Sequence, residues 1–140
     1  MTRITLTIGL LLLFACGAWL LAQNSPPAAA PRKPPEVPAK AAAVKNPLAR
    51  KAGAAEAGRE SYNDHCAMCH GEAGNAGLQN SIDLTSSELQ KKSDGALFWY
   101  VTHGNLVHGM PSWSSLPEKE RWQLVTYVRE LQKKAVQNKK

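Results

Sequence analysis

The pentad Cys66-Ala67-Met68-Cys69-His70 constrains this 140-residue chain more than any other feature. Two cysteines three residues apart share one side of a helical turn, and an imidazole follows at once. The spacing suits two thioether bonds to the vinyl groups of one haem, with His70 beneath the iron. Other uses of paired cysteines fit less well. A thioredoxin-like redox site follows a strand in an alternating strand–helix chain, and no such alternation is present. A zinc site needs further ligands, yet the only other cysteine, Cys16, lies in an apolar leader. A disulfide between Cys66 and Cys69 would leave His70 unexplained.

Composition divides the chain into four parts. Residues 1–23 are read as a signal peptide or an N-terminal membrane anchor. Residues 24–51 hold seven of the nine prolines, many alanines and no aromatic residue, and are read as a semi-rigid linker without a core. Fully stretched, such a linker reaches roughly 85 Å. Residues 52–134 form the folded domain, and 135–140 a polar tail.

Charge follows the same division. Residues 1–51 carry seven Lys/Arg and one acid, whereas 52–140 carry ten of each. The formal +6 of the chain therefore belongs to leader, linker and tail. No basic stripe is expected on a folded face, so nucleic acid is not an expected partner. The linker cations suit anionic lipid headgroups or plain solvation.

The leader runs uncharged from Ile4 to Ala22, 19 residues behind Arg3. As a helix it spans about 28 Å, close to a hydrocarbon core and longer than a usual cleavable signal. Bulky Leu20 spoils the best cleavage site, after Ala22, and Trp19 suits the outer interface. Arg32 and Lys33 stand on the side where basic residues are scarce. The expected location is the periplasmic side of the inner membrane, held by residues 4–22, or the soluble periplasm after cleavage. Leu13-Phe14-Ala15-Cys16 only loosely resembles a lipoprotein box, and Cys16 is read as a plain apolar residue.

Within the domain, the pattern predicts a helix over 54–66 that runs into the pentad. Gly71, Gly74 and Gly77 break the chain after it. A short turn follows near 86–91, then a helix over 94–103 capped by Ser93 or Asp94 and stopped at Gly104. The last helix has Pro117 in its first turn, acids at its start, lysines at its end, and apolar positions Trp122, Val125, Val128 and Leu131. No strand pattern competes. The fold class is all-α, with helices packed around one covalently bound haem that supplies much of a small core.

These residues resemble the monohaem class I cytochrome c family over about 53–132. Gly58 and Tyr62 match small and aromatic positions of its first helix, and Leu124 and Tyr127 match the facing positions of its last. The runs Ser93-Asp94-Gly95-Ala96-Leu97-Phe98-Trp99 and Glu120-Arg121-Trp122-Gln123-Leu124-Val125 are similar to a bacterial subgroup found beside membrane dehydrogenases and oxidases. The resemblance implies the small cytochrome c fold, one haem c, and electron transfer among redox proteins. Many relatives have a Gly-Pro whose carbonyl accepts the proximal histidine's free N–H. Here the corresponding stretch, Ala76-Gly77-Leu78-Gln79-Asn80, lacks proline and leaves the acceptor open.

For the sixth position on iron, Met110 is the only methionine far enough beyond His70 to reach the other face. It stands in a Gly-Met-Pro loop stiffened by Pro111. His103 and His108 are the alternatives, and His65 a weaker one. Met110 would close the iron to substrates and suit single-electron transfer. The expected role is an electron carrier for a dehydrogenase, an oxidase or another cytochrome, without a small-molecule substrate. A haem subunit of a larger oxidoreductase is the second reading. A haem catalyst or sensor is the third, and it lacks a distal acid–base pair.

Overall fold

The computed structural model describes residues 34–75, 77–78 and 81–138. The leader readings, on residues 1–23 and 4–22, lie outside the described residues. Six α-helices are present among those described: α1 Ala39–Ala42, α2 Ala54–His65, α3 Ala67–His70, α4 Ser87–Gln90, α5 Asp94–His103 and α6 Glu118–Gln137. A 3₁₀ turn, Leu106–His108, lies between the last two. The described residues contain no strand, only an isolated bridge between Asn105 and Met110. The all-α class is as expected.

The crossing of α2 and α6 organises the core. A side chain at Gly58 would overlap the main-chain carbonyl of Gln123, so glycine lets the two helices meet backbone to backbone. One turn on, Tyr62 is fully buried beside Leu124, Tyr127 and Leu131. The rings of Tyr62 and Tyr127 meet edge to face at 5.2 Å, an arrangement favoured by the aromatic quadrupole. Ser61 donates to Glu120 across the same crossing at 2.7 Å. The resemblance pairs these positions on the two helices, and here they touch.

Helix α5 packs its Leu97 against Trp122 and Val125 of α6. The ring of Phe98 stacks on Trp122 at 4.0 Å. Ser93 caps α5 by accepting from the Ala96 N–H, which satisfies one of the donors left free at a helix start. At the other end Gly104 takes a left-handed φ of 75°, and a side chain there would overlap the carbonyl groups of Met110 and Pro111. Pro117 stands one position earlier than expected, as the cap before α6. Helix α6 continues to Gln137, beyond the boundary read at 134. Ala135 and Val136 favour no turn, so nothing local stops the helix where the charges begin.

Residues 34–51 depart from the expected linker. They form an arm along α5 and α6, so the boundary read at 52 falls too late. Leu48 joins the cluster of Leu97, Trp122 and Val125. Asn46 donates to Thr126 at 3.0 Å, Ser93 to the Ala42 carbonyl at 2.6 Å, and Tyr100 to the Pro35 carbonyl at 3.2 Å. Gly95 makes the seat, since a side chain there would overlap the carbonyls of Ala41 and Val44. Composition weighs only a segment's own apolar area. Two of its contacts come from side chains, Asn46 and Leu48, and two from main-chain carbonyls, which every residue type provides.

Candidate functional site

Helix α2 delivers the pentad. Its last turn ends at Cys66, whose N–H bonds back to the Tyr62 carbonyl at 2.8 Å, and α3 then turns the chain once more through Cys69 and His70. Both cysteines are free and half-buried. Burial pushes the Cys66 thiol up to about 12, and the neighbouring Cys69 adds to this. Cys66 is therefore held as a protonated thiol. Met68, between the two, is 83 % exposed.

The loop after α3 is fastened at several points. Tyr62 donates its phenol to the Gly71 carbonyl at 2.7 Å, and burial raises that phenol well above the ordinary tyrosine range. Leu78 N–H bonds to the Cys69 carbonyl at 2.9 Å, and Leu84 N–H to the Gly74 carbonyl at 2.8 Å. Gln132 of α6 donates to the Leu84 carbonyl at 2.8 Å. This framework brings the Ile82 carbonyl 3.0 Å from Nδ1 of His70. A carbonyl can only accept, so Nδ1 carries the proton, and in the neutral imidazole Nε2 then keeps its lone pair. That is the tautomer a metal-binding imidazole needs, oriented by a main-chain acceptor. This acceptor lies two residues beyond the stretch 76–80. Any residue has a carbonyl, so no side chain in the sequence marks Ile82.

Met110 sits at the close of a tight loop. Asn105 and Met110 exchange two main-chain hydrogen bonds, 2.9 and 3.0 Å, around the Leu106–His108 turn. Beyond it, Trp113 N–H bonds to the Val101 carbonyl at 3.0 Å, and Ser112 donates to the Thr102 carbonyl at 2.6 Å. The loop is thus sewn to the end of α5. The rings of His65 and Trp113 lie 4.9 Å apart, which makes the Met110 loop a neighbour of the pentad. No hydrogen bond joins Met110 to His70 among the described residues. His103 is engaged otherwise: its ring stacks on Trp99 at 4.4 Å, and Nδ1 bonds to the Trp99 carbonyl. His108 is exposed on the 3₁₀ turn.

The donor set fits a haem. Two free thiols and an oriented imidazole stand on one turn. Ile82, Leu106 and Val107 leave apolar side chains 42 %, 80 % and 39 % exposed in the segments that flank His70 and Met110. Among the described residues no cluster of three or more His, Cys, Asp or Glu is arranged to hold a bare metal ion. Asn105, Trp113 and Gln132 also shape the site. They went unread because their roles are main-chain pairing, ring contact and support of a distant carbonyl.

Residues 53–128 match the protein family described as Cytochrome C oxidase, cbb3-type, subunit III. No curated protein matches the chain. The arm precedes the matched region.

Proposed function

We propose, from the premise that this chain belongs to the family of cbb3-type cytochrome c oxidase subunit III and is a monohaem class I c-type cytochrome, that it carries single electrons through one haem held by Cys66, Cys69, His70 and Met110. Haem-based electron transfer is the work of such a domain; the ligand set, the covalent bonds and the partners are our reading. Cys66 and Cys69 would hold the haem as thioethers, each S–H adding across one vinyl group with no leaving group. His70 would offer Nε2 to the iron while the Ile82 carbonyl holds its Nδ1. Met110 offers its thioether from the loop closed by Asn105. When bound, the haem supplies a one-electron couple, and a Met/His pair sets it higher than two histidines would.

The observation that carries the reading is the His70–Ile82 hydrogen bond beside two free thiols, because it selects the nitrogen that faces a metal. Acid–acetone extraction should leave haem on the polypeptide. A weak red absorption of ferric iron bound to sulfur should be present, and Met110→Ala should abolish it. Extraction of all the haem refutes covalent attachment; persistence of the band in the variant refutes Met110.

The second reading, a haem subunit of a larger oxidoreductase, draws on the family's name as an oxidase subunit. Comigration with an oxidase in a native gel after mild solubilisation separates it from a free carrier. We place the domain outside the cytoplasmic membrane, with residues 4–22 as its anchor. Among the described residues no helix is long and apolar enough to cross a membrane, and residues 4–22 were not among them.

A further inference from the structure

We infer that the arm and the C-terminal half of α6 form one basic surface that rests on an anionic lipid bilayer. The arm brings Lys40, Lys45, Arg50 and Lys51 onto the folded domain, all exposed. This revises the assignment of those charges to a free linker. Asn46 fixes the arm to Thr126 in the middle of α6. From there Asn46, Ala49 and Lys133 line one groove, and Ala49, Lys51, Arg59 and Lys134 line the next. Lys51 of the arm therefore shares a groove with Arg59 and Lys134, and Lys133 lines the adjoining one. Four acids share the region. Glu56 pairs with Arg59 at 2.6 Å, Glu130 with Lys133 at 2.7 Å and Asp94 with Arg129 at 2.7 Å, while Glu36 lies near the start of the arm. Lys40, Lys45, Arg50, Lys51 and Lys134 make no ion pair among the described residues.

The rest of the domain is charged the other way. From Glu60 to Gln90 there are five acids and no Lys or Arg, and this stretch contains the pentad. An anionic surface attracts the arm and repels the pentad's segment, so the charge pattern selects an orientation as well as a partner. Chain length selects the bilayer in particular. Only eleven residues, 23–33, separate the apolar run 4–22 from the described arm, and Arg32 and Lys33 are among them. Fully extended they span at most about 40 Å. The inference rests on the anchor proposed above for this proximity alone.

The test reconstitutes the full-chain holoprotein into nanodiscs of phosphatidylcholine, alone or mixed with phosphatidylglycerol, and follows lysine acetylation by mass spectrometry. Lys40, Lys45, Lys51 and Lys134 should react several-fold more slowly in the anionic discs at low salt, with the difference lost at high salt. Lys119, about 21 Å from Lys133 along α6, should react equally in both. The exposed double variant Lys40→Glu/Lys45→Glu should lose the protection and keep its haem spectrum. Equal rates in the two lipids overturn the inference. Should intact mass show cleavage near Gln23, the anchor reading fails separately. The mature holoprotein is then spun with vesicles of the same two compositions. Sedimentation with the anionic vesicles alone upholds the basic surface; any other pattern overturns it.

Discussion

The arm of residues 34–51 and the stretch 66–83 each carry one short helix and both reach α6, yet they are held by opposite means. The stretch 66–83 bonds largely to itself, through Leu78 to Cys69 and Ile82 to His70, while Gly74 holds Leu84 at its far edge. The helices add the carbonyl and phenol of Tyr62, the amide of Gln132 and a seat for Cys66 and Ala67 on the core. The arm has local turns but owes its position to partners far along the chain: Ser93, Gly95, Tyr100 and Thr126. One segment brings its own geometry; the other borrows it. A self-bonded loop can keep a metal ligand oriented through small changes elsewhere, whereas a borrowed one registers every change in its seat.

The largest expected effect follows from taking the arm away. A holoprotein beginning at Ala52 exposes Leu97, Trp122 and Val125, while one beginning at Pro34 keeps them covered. The shorter form should lose on the order of 3 kcal/mol, the scale of a large core truncation. Its Tm should fall by roughly 10–20 °C. Equal melting of the two forms would show that the arm is a passenger. The single change Gly95→Val attacks the seat alone. It should cost about 2 kcal/mol by overpacking against the Ala41 and Val44 carbonyls. Its haem spectrum should remain that of the unaltered protein, because α5 is pressed on the side of the arm.

A smaller effect should come from the other segment. Gln132→Leu removes the donor to the Leu84 carbonyl and should cost about 1 kcal/mol. It should also shift the reduction potential, since Leu84 stands two residues from the carbonyl that orients His70. Voltammetry checks this; an unmoved potential would mean that the loop holds itself without help from α6.

The smallest effect is one of pH. Burial keeps the Tyr62 phenol neutral in the folded protein above its ordinary range. The unfolded chain ionises near pH ~10, so above that value unfolding releases a proton that folding retains. Stability present below pH ~10 is lost as the pH rises toward the higher folded value. Tyr62→Phe should flatten that alkaline loss in denaturant titrations, at the cost of about 1 kcal/mol at neutral pH for the bond to Gly71.

The contrast also explains what could be read from the chain. Cys66, Cys69 and His70 can be singled out in the chain because the chemistry proposed for them depends on residue type at fixed spacing. Ser93 and Gly104 were legible because helix ends select side chains and backbone angles. Gly58, Tyr62, Leu124 and Tyr127 were marked by the family pattern, and their contact is a packing fact. The Ile82 acceptor was not legible, since carbonyls carry no residue signature. The arm was misread for the same reason, and because it precedes the part of the chain that the family covers. Prolines and alanines that describe a free linker equally describe a strap whose backbone does the binding.

The length of α6 bears on the order in which the molecule is assembled. Asn46 waits for Thr126, 80 residues on, and Ser61 for Glu120, 59 residues on. Synthesis proceeds from the N-terminus, so the pentad leaves the ribosome while the helix that closes the core does not yet exist. Contacts this distant form slowly, because a long loop must close before they contribute. The cysteines and histidine are therefore presented on an open chain first, accessible before the core closes over them. Arm and α2 then shut against α6 as the final act of folding, and the last helix made serves as the latch of the whole domain.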